Sequence, residues 1–153
     1  MLAKLEVRRP KQSSLRRSIS TSYYALFHGI TLEWSRCFVS PVAIYSRRMI
    51  AHRDAKDAAE RLSDTNTRDK RLKHLSGMPQ CPLPLQKVST DFVALQERRH
   101  IADYDLSINL QRNDALEMHT RAERSIKSLI KCRTDCPSEL QAYIMSLLKV
   151  RVS

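Results

Sequence analysis

Two stretches of this chain concentrate the side chains that could do chemistry. The first is Leu15-Arg-Arg-Ser-Ile-Ser-Thr-Ser-Tyr-Tyr-Ala-Leu-Phe-His28, and the second is Arg99-His100-Ile101-Ala102-Asp103-Tyr104-Asp105. In the first, Arg16, Arg17, Ser20, Tyr24 and His28 suit an anion. A guanidinium grips phosphate oxygens with a two-pronged fork. Ser and Tyr hydroxyls donate to the same oxygens, and an imidazole carries a proton near neutral pH. The second stretch gathers an Arg, a carboxylate and a phenol where a backbone phosphate could sit. Each also has a plainer reading. In it, the Tyr rings of the first are packing groups among solvated Arg residues, and an Arg99–Asp103 pair only orients a helix end.

Both stretches must be held by helices. Along the first, Leu15, Ile19, Ser22, Tyr23, Leu26 and Ile30 recur at helical spacing and form a core stripe. Arg17, Ser20, Thr21, Tyr24 and His28 form a polar ladder on another face, which a plain core helix does not need. Ser13 or Ser14 is placed to cap this helix, which runs to about Cys37 or Phe38 and is closed by Ser40-Pro41. A charged second helix follows from Val42 to Leu62, with a thin apolar stripe of Val42, Tyr45, Met49, Ala55, Ala59 and Leu62. Residues 63–86 read as a surface excursion, with a basic run and Pro79, Pro82 and Pro84.

A third helix is expected over Leu85–Asp103. Val88, Phe92, Leu95, Arg99 and Ala102 step by four, three, four and three, so Arg99 falls in line with the core. A buried guanidinium without a partner is costly, and Asp103, one turn on, is the nearest carboxylate. After a connection over 104–112, Asp114-Ala-Leu-Glu117 reads as a capping box. It opens a fourth helix to about Cys132, with Ala115, Met118, Ala122, Ile126, Leu129 and Ile130 facing in. Asp135-Cys-Pro137-Ser-Glu139 restarts a last helix with Leu140, Ile144, Leu147 and Leu148 on its apolar face.

The fold expected is therefore all-α, an antiparallel bundle of four to five helices. Residues 1–10 form a basic lead-in and 11–150 a single domain. Two glycines in 153 residues are too few for a sandwich or barrel. The formal net charge of +11 points to a polyanionic partner, RNA, DNA or an acidic protein. Cys37, Cys81, Cys132 and Cys136 lack zinc-ligand spacing, so free thiols in a reducing cytosol are expected, and neither metal nor cofactor. The N-terminal residues have no apolar segment of a signal peptide, and no apolar run is long enough to span a membrane. A cytoplasmic location is the expectation.

The two motifs, Leu15 to His28 and Phe92-x-x-Leu-Gln96-x-x-Arg-His-x-Ala-Asp-Tyr-Asp105, together resemble the HEPN domains, the higher eukaryote and prokaryote nucleotide-binding domains. The similar branch is an uncharacterised one carrying Arg-x-x-Ala-Asp-Tyr. The likeness is good over about 12–36 and 88–110 and loose over 41–62. It implies an up-and-down helical bundle, commonly a homodimer. Many members of that family are ribonucleases of toxin–antitoxin or other defence systems, often paired with a minimal nucleotidyltransferase. Their signature is Arg, four to six residues, then His, with the motifs of two protomers meeting in a cleft.

Here Arg99 matches that Arg, but Tyr104 occupies the His position. An ordinary phenol titrates near about 10 and is a poor base at neutral pH. Arg47/His52, Arg68/His74 and Arg112/His119 satisfy the spacing outside the motif. With 18 Arg and five His, roughly two such matches arise by chance. His28 and His100 are the candidates for an imidazole supplied from elsewhere. The expected site is Arg17, Ser20, Tyr24, Arg99, Asp103 and Tyr104, binding RNA or a nucleotide. Arg17 and Arg99 would hold phosphate, Asp103 would orient Arg99, and the Tyr residues would donate or stack. Two alternatives stand beside it: a metal-independent ribonuclease toxin, and a non-catalytic helical adaptor or antitoxin.

Overall fold

The computed structural model describes residues 11–47, 52–63 and 81–147. The lead-in at 1–10, Met49, Arg68, His74, Leu148 and most of the 63–86 excursion lie outside the described residues. Of those described, 83% are helical and none is in a strand. Six helices follow in order: α1 Gln12–Ser35, α2 Val42–Ser46, α3 His52–Leu62, α4 Leu83–Tyr104, α5 Arg112–Asp135 and α6 Pro137–Ser146.

Helices α1, α4 and α5 form the central layer, each packed against the other two, and α6 packs on the ends of α1 and α5. The α1 stripe is the core expected from its spacing: Leu15, Ile19, Tyr23, Leu26 and Ile30 are all buried. They meet Leu85, Val88, Phe92 and Leu95 of α4, Met118 and Leu129 of α5, and Tyr143 and Ile144 of α6. Burying one such side chain contributes about 1.5–3 kcal/mol. Helix α3 lies along α4 and packs through Ala55, Ala58, Ala59 and Leu62.

Several local expectations are corrected. Helix α1 starts at Gln12 with Lys11 in the N-cap position, ahead of Ser13 and Ser14. The Gln12 side chain instead ties the helix start to Leu110, donating to its carbonyl at 2.8 Å and accepting from its N–H at 3.0 Å. Two helices, α2 and α3, are described where one was read from Val42 to Leu62. Val42 and Tyr45 are 50% and 70% exposed, whereas Ala55, Ala59 and Leu62 of the expected stripe are buried. Helix α4 begins at Leu83, inside the excursion, because Pro84 sits in the first turn where its missing N–H costs nothing.

The cap of α5 is Gln111. Its side chain accepts from the backbone N–H of Asp114, and its own N–H donates to the Asp114 carboxylate at 2.8 Å. Asp114 is thus the last residue of the box, third in the helix, rather than its first. Ile130 faces solvent, and Ser125 and Cys132 take inward positions on α5 instead.

Two buried acids fix the helices in register. Asp91 of α4 is 1% exposed and accepts from Arg121, Arg124 and Ser125 of α5, with Arg124 Nη2 at 2.6 Å. Glu33 of α1 accepts from Arg133 Nε at 2.7 Å. These pairings, with Gln12–Leu110 at the other end, set α1 and α5 parallel, and α4 runs against both.

Candidate polar site between the first and fourth helices

Arg17, Ser20, Tyr24 and His28 are three or four residues apart, so α1 carries them on one face. Arg99 and Asp103 are likewise one turn apart on α4. Because the two helices are antiparallel, Ser20 meets Asp103 and Tyr24 meets Arg99. Arg99 Nε donates to Asp103 Oδ2 at 3.0 Å, and Arg99 Nη2 donates to Tyr24 Oη at 2.9 Å. Ser20 Oγ donates to the other carboxylate oxygen at 2.5 Å. The guanidinium carbon also lies 5.3 Å and 5.2 Å from the ring centroids of Tyr23 and Tyr24, within cation–π range.

The Arg99–Asp103 pair was expected to be bonded and largely buried. It is bonded, but its side chains are 19% and 29% exposed, so it is half-buried and open on one side. Two of the five guanidinium donors are engaged, which leaves Nη1 and one Nη2 proton for a ligand. Beside the pair is a cavity of about 400 Å³ lined by Lys56, Gln96, Glu97, Arg99, His100 and Ile101.

A group that the sequence reading set aside completes the cluster. His52, the first residue of α3, stacks on Phe27 at 3.8 Å and shares a 2.6 Å hydrogen bond between Nδ1 and Tyr23 Oη. Burial pushes the Tyr23 phenol well above its ordinary range, against the pull of Arg99. Burial, and next the charge of Arg99, lowers the His52 imidazole. Both shifts favour the neutral forms. The spacing of Arg47 and His52 did mark this residue. Nothing in the sequence indicates that position 52 meets position 23, because that contact is made only when α3 folds back.

The remaining candidates separate. Arg16, not Arg17, is tied down. Its guanidinium donates to the carbonyls of Ile101, Ala102 and Asp105 at 3.0–3.2 Å, and to that of Ile108. These carbonyls lie in the last turn of α4 and in the loop after it, so Arg16 ties that helix end to α1. Arg17 is exposed and has no polar partner among the described residues. His28 is exposed, its ring 6.3 Å from that of Tyr24. Tyr104 is 66% exposed and lies against His100 with ring centroids 5.0 Å apart, outside the Arg99 cluster.

Among the described residues no group of three or more His, Cys, Asp or Glu could hold a metal ion, and no helix is long and apolar enough to cross a membrane. Comparison with protein-family models, curated proteins and solved structures gives no match.

Proposed function

We propose that the Arg99 cluster binds a phosphate-bearing ligand, RNA or a nucleotide. One observation carries this reading: a guanidinium positioned by Asp103 and Tyr24 keeps unused donors at the edge of an open cavity. Lys56 on the wall of that cavity, beside Glu97, and Arg17 on the α1 face add cationic donors, and His100 adds a ring nitrogen. The net charge of +11 draws a polyanion toward such a site. The resemblance to HEPN domains supports the same ligand class. It also suggests a homodimer, a role in a toxin–antitoxin or defence system, and a minimal nucleotidyltransferase partner. An adaptor built only for structure would close this pair off, and the partly exposed Arg99–Asp103 pair argues against it.

A second reading, metal-independent ribonuclease activity, draws on His52. A cleaving site needs a group titrating near neutrality beside Arg99, and Tyr104 is turned away from that position. His52 is within electrostatic reach of Arg99 and is held by Tyr23 and Phe27. His28 and His100, named from the sequence, lack such a mounting. The test is cleavage of a labelled single-stranded RNA in chelator by the parent, His52→Ala and Tyr104→Phe. Cleavage lost only in His52→Ala supports the enzyme. Intact RNA in every sample supports the binder.

A further inference from the structure

We infer that the seam between α1 and α5 holds a separate binding site, for a small uncharged molecule with a hydrocarbon body and one hydrogen-bonding group. A cavity of about 500 Å³ opens there, and it shares no lining residue with the cavity beside Arg99. This volume is in the range of small-molecule sites, which often form between the helices of bundles.

Its walls set the body of the ligand. Ala25, Ala122 and Ile126 present methyl and methylene carbons. Small side chains on α1, Ser18, Ser22 and Ala25, leave the space open.

Its floor sets the head. Ser18 lines the cavity and is 2% exposed, yet its hydroxyl has no hydrogen-bond partner. Its neighbour Ser22 differs, because that hydroxyl donates to the Ser18 carbonyl at 3.0 Å. A buried hydroxyl without a partner is costly. A hydroxyl, carbonyl or ring nitrogen brought in by a ligand would supply the missing bond.

Its rim sets the charge. Glu123 is bonded to Lys127 at 3.2 Å and lies 3.7 Å from His119, and all three border the cavity. A charged head would have to displace one of these partners, whereas a neutral head leaves them paired.

The test uses 2-naphthol, an uncharged two-ring alcohol at pH 7, titrated into the full chain and followed by amide chemical shifts. Saturable binding is expected, with changes concentrated at Ser18, Ser22, Ala122 and Ile126. Ser18→Ala should weaken it by about 5-fold through loss of the hydrogen bond. Ala25→Leu places its side chain in the cavity from an exposed position, so the fold tolerates it, and binding should be lost. Unsaturable or scattered shifts overturn the proposal, as does binding that survives unchanged in both variants. Neither outcome bears on the Arg99 site.

Discussion

Tyr24 and Arg99, 75 positions apart in the chain, are joined by a 2.9 Å hydrogen bond from Arg99 Nη2 to the Tyr24 hydroxyl. Asp103 holds the same guanidinium from the other side at 3.0 Å and receives Ser20 in turn. Four polar residues on two antiparallel helices thus form one connected unit with its open side toward solvent. Asp103→Ala should release Arg99 and remove the Ser20 acceptor. For a half-exposed charged network the expected loss is about 1–2 kcal/mol. A chemical-denaturation midpoint equal to that of the parent would show that the network contributes nothing.

Adjacent arginines on α1 should behave oppositely. Arg16 donates to four carbonyls around the end of α4, so Arg16→Ala should destabilise the fold by about 2–3 kcal/mol. Arg17 is exposed, and Arg17→Ala should change stability by less than about 0.5 kcal/mol. Thermal melts of the two variants check this. Similar losses in both would contradict the division of roles.

Asp91 should be the more sensitive acid. Its carboxylate is 1% exposed and bridges α4 to Arg121, Arg124 and Ser125 of α5. Arg124 reaches solvent and can be rehydrated once the acid is gone, so Asp91→Ala should cost about 3 kcal/mol, the low end for a broken buried pair. The measurement is urea unfolding, and a loss under about 1 kcal/mol would contradict the staple.

Stability should also depend on His52. Its imidazole titrates below the ordinary value when folded, so the unfolded chain binds the proton more readily. The stabilisation tied to the neutral ring is complete above the ordinary histidine pKa and is lost as pH falls through the folded value. Melting temperatures of the parent and His52→Gln, compared across this window, should diverge at higher pH and converge at lower pH. Parallel profiles would mean that the Tyr23–His52 bond is not coupled to folding.

Most of the architecture was legible in the sequence because four long periodic segments bury one face each. Leu15 to Ile30 and Val88 to Leu95 could be placed on core faces from spacing alone. Boundaries were less legible where a distant side chain decides them. Gln12 starts α1 through Leu110, and Gln111 caps α5, although Ser13, Ser14 and Asp114 are the stronger local signals. Within the site, the i, i+4 step gave Arg99–Asp103. The partners Tyr24 and Ser20 followed only as members of a face whose neighbour was unknown. Tyr104 stands apart from this cluster because α4 ends there and its side chain is 66% exposed, which spacing did not reveal. His52 was noted only by its spacing from Arg47, because its contacts with Tyr23 and Phe27 are purely tertiary.

The central claim is that Arg99 and its surroundings form a phosphate site rather than part of a diffuse basic surface. The most direct measurement is fluorescence anisotropy of a labelled single-stranded RNA at low salt, with parent, Arg17→Ala, Arg99→Gln and Lys131→Ala. Lys131 lies on α5 with its side chain 79% exposed and serves as the charge control. The account predicts binding that weakens as salt rises, with Kd raised about 5-fold or more in the first two variants and less than about 2-fold in Lys131→Ala. Equal losses in all three variants, or no binding at low salt, would contradict it.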